Sequence, residues 1–492
     1  MRKFFLLSTA ILCAAAVCQI NAKGLNPDTA VVTRHQTTIK GQLINYKATM
    51  GNQPVLDENR TPIAAVSYTY YEREGVKDLD HRPLFISFNG GPGTGSLWMQ
   101  LGFTGPALLK IDDEGNPVMP YGTESNPYSI LDIADIVYIN PVNTGYSRIL
   151  DKDTDGKQFF GVNEDIRYLA TWITTFVTRA NRWNSPKYLI GESYGTTRAS
   201  GLALELQSRH WMFLNGVVLV SATELGIRRD GPVSDALTLP YMAATAWYHK
   251  ALPSDLQQKD LLEILPEVEK FTIDEYIPAL SWGGALPEAK RKEIAKKASR
   301  YSGISEKAIL DHALTISPRF YWKELLRDKG FTVGRLDSRY KGIDLQDGGE
   351  FPDYNAEMVS WEQSFTPAIN SYMRNDLNFK TDLEYYVFGT VRPWNNQGDR
   401  TGMNLMNAVQ QNPYLKVLLM SGYYDGACDY FNGKYNFWQM DKSGKFQDRF
   451  LFKGYRSGHM MYLRKEDLKQ ANDDLRDFVK QTVPAEGQPS KY

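Results

Sequence analysis

The run Tyr188-Leu189-Ile190-Gly191-Glu192-Ser193-Tyr194-Gly195 constrains the chain more than any other stretch. Three apolar residues lead into Gly-x-Ser-x-Gly, and Thr196 to Leu206 continues with helical spacing. This order predicts a strand, a sharp turn and a helix, with the serine hydroxyl lifted above the edge of a sheet. Glycine suits positions 191 and 195 because strand and helix approach too closely there for a Cβ. A serine hydroxyl is a weak nucleophile near neutral pH. The rest of the chain must therefore supply a base, an acid to orient it, and donors for developing negative charge.

The chain has 6 histidines. His459 follows a late apolar strand directly, in Arg449-Phe-Leu-Phe-Lys through Gly-Tyr-Arg-Ser-Gly-His. In a hydrolase built on a strand–serine–helix turn the chain order is serine, acid, histidine. His35 and His81 precede the serine, His210 ends the helix after it, and His249 and His312 fall in a helical block between serine and acid. Asp425 lies just past the strand Leu415–Met420, with Gly422 and Gly426 around it to allow a tight turn. Asp429 is the competing acid, and its place before Tyr430–Met440 suits a helix cap. For the oxyanion, one donor is the Tyr194 amide and the other the Gly91 amide. Gly91 belongs to the loop Asn89-Gly90-Gly91-Pro92-Gly93, after the strand Leu84–Phe88. A phosphate-binding loop is the rival reading of those glycines, but the Gly-Lys-Ser/Thr ending is missing.

Strand patterns alternate with helical ones through Leu84–Phe88, Ala134–Ile139, Glu164–Arg182, Tyr188–Ile190 and Leu214–Val220. This predicts an α/β fold with a mostly parallel central sheet and helices on both faces. After about Glu224 the strand rhythm stops, and helical stretches such as Leu237–Leu252 and Pro287–Tyr301 follow. The expected organisation is a leader over 1–22, a first core part over 23–224, a mainly helical cap insertion over 225–394, and a second core part over 395–492. With 492 residues, 42% hydrophobic and 23% charged, the chain can bury such a core.

Arg2 and Lys3 before the apolar run Phe4–Val17, with Ile20-Asn21-Ala22 after it, read as an export signal that is removed. That leads to a periplasmic or secreted location. The run is too short to span a bilayer, and no membrane span is expected after its removal. Of the 3 cysteines, Cys13 and Cys18 lie in the leader, which leaves Cys428 alone and no internal disulfide. The formal net charge of −1 and the lack of a basic stripe argue against a nucleic-acid partner. No His/Cys/Asp cluster has ligand spacing, so neither metal nor cofactor is expected. The oligomeric state is left open.

Asn89-Gly-Gly-Pro-Gly, Pro141-Val-Asn-Thr-Gly-Tyr-Ser, Gly191-Glu-Ser-Tyr-Gly, Gly422-Tyr-Tyr-Asp-Gly-Ala-Cys-Asp and Gly458-His459 occur in that order. Together they resemble the serine carboxypeptidases, exopeptidases on the α/β-hydrolase fold, here as a bacterial-looking member without disulfides. The resemblance implies a serine carboxypeptidase acting on peptides through an acyl-enzyme on Ser193, with His459 as base and Asp425 as its partner. It further implies that Asn89, Gly90 and Glu192 bind the free carboxylate of the substrate. Two carboxyl groups share a hydrogen bond only if one is protonated, so Glu192 would need a raised pKa. The chain departs from the family where a second glutamate often precedes Gly-Pro: it reads Phe103-Thr-Gly-Pro106, with Gln100 the candidate substitute. Ser87 and Thr94 stand where the family has tryptophan and cysteine. An esterase or acyltransferase using the same three residues is the alternative.

Overall fold

The computed structural model describes residues 25–487 and 491, so the expected leader lies outside the described residues. At one edge of the central sheet, Thr29–Ile39, Gln42–Leu56 and Pro62–Arg73 form an antiparallel meander. Their β-branched and aromatic residues, alternating with polar ones, suit strands exposed on one face. Pro62–Arg73 pairs antiparallel with Asp135–Ile139. From there the strands run parallel in the order Asp135–Ile139, Leu84–Phe88, Lys187–Glu192, Gly216–Val220, Lys416–Gly422, Phe450–Tyr455.

These parallel strands are near-continuous apolar runs because both faces are covered. Successive side chains point to opposite faces. Tyr188, Ile190, Val218 and Val220 therefore join a core with Leu97, Trp361, Leu468 and Leu475. Leu189, Val217 and Leu219 join another with Ile166, Leu169, Leu202, Leu206 and Leu405. The first core is covered by the helices Leu97–Gly102, Ala356–Ser371 and Lys465–Thr482. The second is covered by Val162–Arg179, Tyr194–Arg209 and Thr401–Gln411. The fold is the α/β arrangement that the sequence predicts.

Between the strands Gly216–Val220 and Lys416–Gly422 the chain is mainly helical. Pro232–Ala236, Leu239–Tyr248, Leu261–Phe271 and Glu288–Ser302 enclose their own apolar core with Phe320, Tyr321 and Trp322. A short hairpin, Thr332–Val333 with Lys341–Gly342, follows. Further on, Trp361, Phe365, Tyr372, Phe379 and Tyr385 leave this helical core and pack into the sheet's first core. Among the described residues, no helix is long and apolar enough to cross a membrane.

Candidate active site

Ser193 sits between the strand Lys187–Glu192 and the helix Tyr194–Arg209, at φ 57° and ψ −127°. A non-glycine residue held there carries about 1–3 kcal/mol of strain, tolerated where the surroundings fix the turn. A Cβ on Gly191 would lie 2.0 Å from the Gly195 carbonyl oxygen, and one on Gly195 2.9 Å from that of Phe88. Both glycines are thus required by contact. The Ser193 hydroxyl does not cap its own helix, which leaves it free for other work.

The next strand holds two of the chemical groups at once. Val220 accepts from the Ser193 amide at 3.0 Å, and the adjacent Ser221 hydroxyl donates to the His459 carbonyl at 2.7 Å. His459 Nδ1 meets Asp425 Oδ2 at 2.8 Å, with both residues buried. The other oxygen of Asp425 accepts from the amides of Ala427 and Cys428 at 2.8 and 3.0 Å. These bonds leave Asp425 with one face for the imidazole. Burial works against a charged imidazole. The Asp425 carboxylate, its hydrogen bond and the nearby Glu192 outweigh that and raise the His459 pKa above its ordinary value. Asp429 caps the helix Tyr430–Met440 through the Asn432 amide, as its position predicts. The Cys428 thiol lies within hydrogen-bond reach of Ser193, and desolvation pushes its pKa well up. It stays protonated and does not compete as a nucleophile.

The glycine loop lies against the serine turn. A Cβ on Gly90 would fall 2.4 Å from the Tyr194 nitrogen, and Gly91 has φ +105°. Among the described residues neither the Gly91 nor the Tyr194 amide donates a hydrogen bond. Both remain available to an incoming oxygen. Asn140, before the Pro141–Ser147 segment, steadies the loop by accepting from the Ser96 amide at 2.8 Å.

Glu192 is only 3% exposed. Asn89 Nδ2 donates to its Oε1 at 2.9 Å, and the Tyr462 hydroxyl donates to its Oε2. Burial pushes the Glu192 pKa up to about 7, against the opposing pull of His459 and of those two donors. Tyr462 was not singled out by the sequence, where it reads as one more apolar residue of Met460-Met461-Tyr462-Leu463. Phe103, at the position of the family's second glutamate, stacks on Tyr462 with ring centroids 4.9 Å apart and planes 7° apart. Gln100 does not substitute for that glutamate: it donates to the Tyr71 hydroxyl at 2.8 Å. The remaining histidines lie elsewhere; His210 bonds Thr174 and His249 bonds the Ser338 carbonyl. Among the described residues no group of His, Cys, Asp or Glu could hold a metal ion.

A serine on a strained strand–helix turn, a buried Asp–His pair and two free amides, set at the C-terminal ends of parallel strands, define an α/β-hydrolase. The family model described as serine carboxypeptidase matches residues 60–263. Serine carboxypeptidase-like 45 of Arabidopsis thaliana is 25% identical over 42% of this chain and 47% of its own length. The retinoid-inducible serine carboxypeptidase of Rattus norvegicus is 28% identical over 36% of each chain. The chain therefore spans less than half the length of these relatives. A solved prohormone-processing carboxypeptidase from Saccharomyces cerevisiae superposes with a TM-score of 0.53 at 15% identity, covering 88% of this chain and 91% of that one. Over residues 60–263 the chain is similar to the serine carboxypeptidase family.

Proposed function

We propose that the protein is an exported serine carboxypeptidase that removes C-terminal residues from peptides. Ser193 attacks the last peptide carbonyl, and His459 takes its proton and returns it to the departing amino acid. Asp425 orients the imidazole and stabilises its charged form. The Gly91 and Tyr194 amides receive the oxyanion, a contribution of roughly 3–4 kcal/mol for each donor. Water then hydrolyses the acyl-enzyme by the same path in reverse. Asn89, Gly90 and Glu192 select the free carboxylate of the substrate. The observation that carries this reading is the buried Glu192, held by Asn89 next to the nucleophile with its pKa pushed up to about 7. A protonated carboxyl at that place can donate to a substrate carboxylate, which a general hydrolase would not need. The location follows from the leader expected over 1–22, which directs the chain to the periplasm or outside.

The deciding experiment is mass spectrometry of matched peptides with free and amidated C termini. Stepwise loss of single C-terminal residues from the free acids alone is expected, and Ser193→Ala should abolish it. Equal cleavage of the amides would overturn the carboxypeptidase reading. An esterase or acyltransferase is the second reading. It is favoured by the bonds that already engage both Glu192 oxygens within the protein.

A further inference from the structure

The acid and the base of the site sit on separate loops, after the strands Lys416–Gly422 and Phe450–Tyr455. A segment of the long insertion, Arg335–Ser338, bonds to both loops. Its Arg335 carbonyl accepts from the Gly426 amide at 2.9 Å, and its Ser338 amide donates to the Tyr424 carbonyl at 2.9 Å. These two bonds bracket Asp425. On the other side, the Leu336 carbonyl accepts from the His459 amide at 2.6 Å, and Asp337 Oδ2 accepts from the Gly458 amide at 3.2 Å. A Cβ on Gly458 would lie 2.4 Å from the Asp337 Cβ, so the fit is close.

The segment is itself tied down. Arg339 Nη2 bonds Asp337 Oδ2 at 2.7 Å and the Ser457 hydroxyl at 3.1 Å. Glu357, fully buried on the helix Ala356–Ser371, accepts the Leu336 amide through Oε1 at 2.8 Å. Tyr241, from the helix Leu239–Tyr248, holds the Ser338 hydroxyl. The segment is thus anchored to the helical core of the insertion on one side and to the helix Ala356–Ser371 on the other.

We infer that Arg335–Ser338 is a strap by which the insertion sets the distance between Asp425 and His459, with Asp337 as its positioning residue. This rests on the assignment of Asp425 and His459 as acid and base. Asp337 reaches the chemistry only through the backbone beside His459, so it governs the turnover step rather than substrate capture. A displacement of an ångström in such a pair costs rate steeply.

The test compares Asp337→Ala and Asp337→Asn in the full chain, using a fluorophosphonate that labels the active serine and a free-acid peptide. Asp337→Ala is expected to slow labelling and kcat about 10- to 100-fold, with KM within about twofold. Asp337→Asn keeps an acceptor for Gly458 and is expected to recover most of that loss. Wild-type labelling at a folded Asp337→Ala, or an Asn variant no better than Ala, overturns the strap. Failure of the unaltered protein to label at all overturns the assignment of Ser193 instead, so the two failures are distinct. If Asp337→Ala does not fold, Glu357→Ala against Glu357→Gln decides in the same way, because Gln alone keeps the acceptor for Leu336.

Discussion

At Glu192, burial and hydrogen bonding pull in opposite directions. Burial favours the neutral acid, while Asn89, Tyr462 and the charge of His459 favour the anion, and burial prevails to give a pKa of about 7. Neutral Glu192 can donate to a substrate carboxylate, whereas ionised Glu192 repels it. In the proposed carboxylate clamp the contact is present below about pH 7 and is lost as pH rises through about 7. The proposed base works in the opposite sense, since as a base His459 must be neutral and its pKa is raised. A narrow bell in kcat/KM for free-acid peptides is therefore expected. Glu192→Gln, neutral at every pH, should remove the alkaline limb and leave the acid one. Tyr462→Phe deletes a donor that favours the anion, so the alkaline limb should move up. One hydrogen bond contributes about 1 kcal/mol, and one pKa unit is about 1.4 kcal/mol, so that shift should stay below about one unit. Titration of KM against pH checks both variants. At this scale the serine turn and the pairing of Asp425 with His459 were legible because each of these residues follows an apolar strand. Tyr462 was not, because nothing in a run of large apolar residues shows that one ring presents its hydroxyl to a carboxylate.

The serine turn shows how an element can be dictated by backbone proximity. Gly191→Ala would place a Cβ 2.0 Å from the Gly195 carbonyl oxygen. Neither backbone can retreat without unpairing the strand from Leu84–Phe88 or Gly216–Val220. A loss of about 3 kcal/mol, the upper end for overpacking, is expected, read as a lowered urea midpoint with unchanged slope. The buried parallel strands were legible as apolar runs, and the helices as stripes such as Ile166, Leu169, Ile173 and Phe176. The strap was not legible. Apart from the Asp337 carboxylate on Gly458, its contacts to the site run through the carbonyls of Arg335 and Leu336 and the amide of Ser338, and backbone groups leave no mark on residue type. Gln100, the candidate substitute for the missing glutamate, points its side-chain amide to the Tyr71 hydroxyl, a partner 29 residues away that local spacing does not reveal.

Among the described residues, stability rests on packing and buried polar networks rather than on covalent ties. Cys428 is a free cysteine, so thermal unfolding should be unchanged by reductant, which calorimetry with and without dithiothreitol checks. Asp135 is sandwiched between Arg82 at 2.8 Å and Arg182 at 2.6 Å, all three buried. Arg182 also donates to the Tyr70 hydroxyl, the Ser185 hydroxyl and the Arg82 carbonyl. It thereby ties the strands Pro62–Arg73 and Asp135–Ile139 to the turn after the helix Val162–Arg179. Arg182→Met leaves Asp135 paired with Arg82 but takes a donor from the Tyr70 and Ser185 hydroxyls and the Arg82 carbonyl, and about 1–3 kcal/mol should be lost, measurable by chemical denaturation.

The position of Lys416–Gly422 next to Gly216–Val220 has a consequence in time. The strands and the glycine loop that hold the Ser193 turn are in place once the first part of the chain has folded. The proposed acid and base, Asp425 and His459, arrive only after the whole insertion has been made and the later strands have paired back across it. Contacts so distant along the chain form late, because loop closure comes before any reward. On the proposed mechanism, a growing or partly refolded chain thus holds Ser193 before the groups that would activate it. In a refolding experiment, reactivity toward a fluorophosphonate should lag behind the recovery of helical signal.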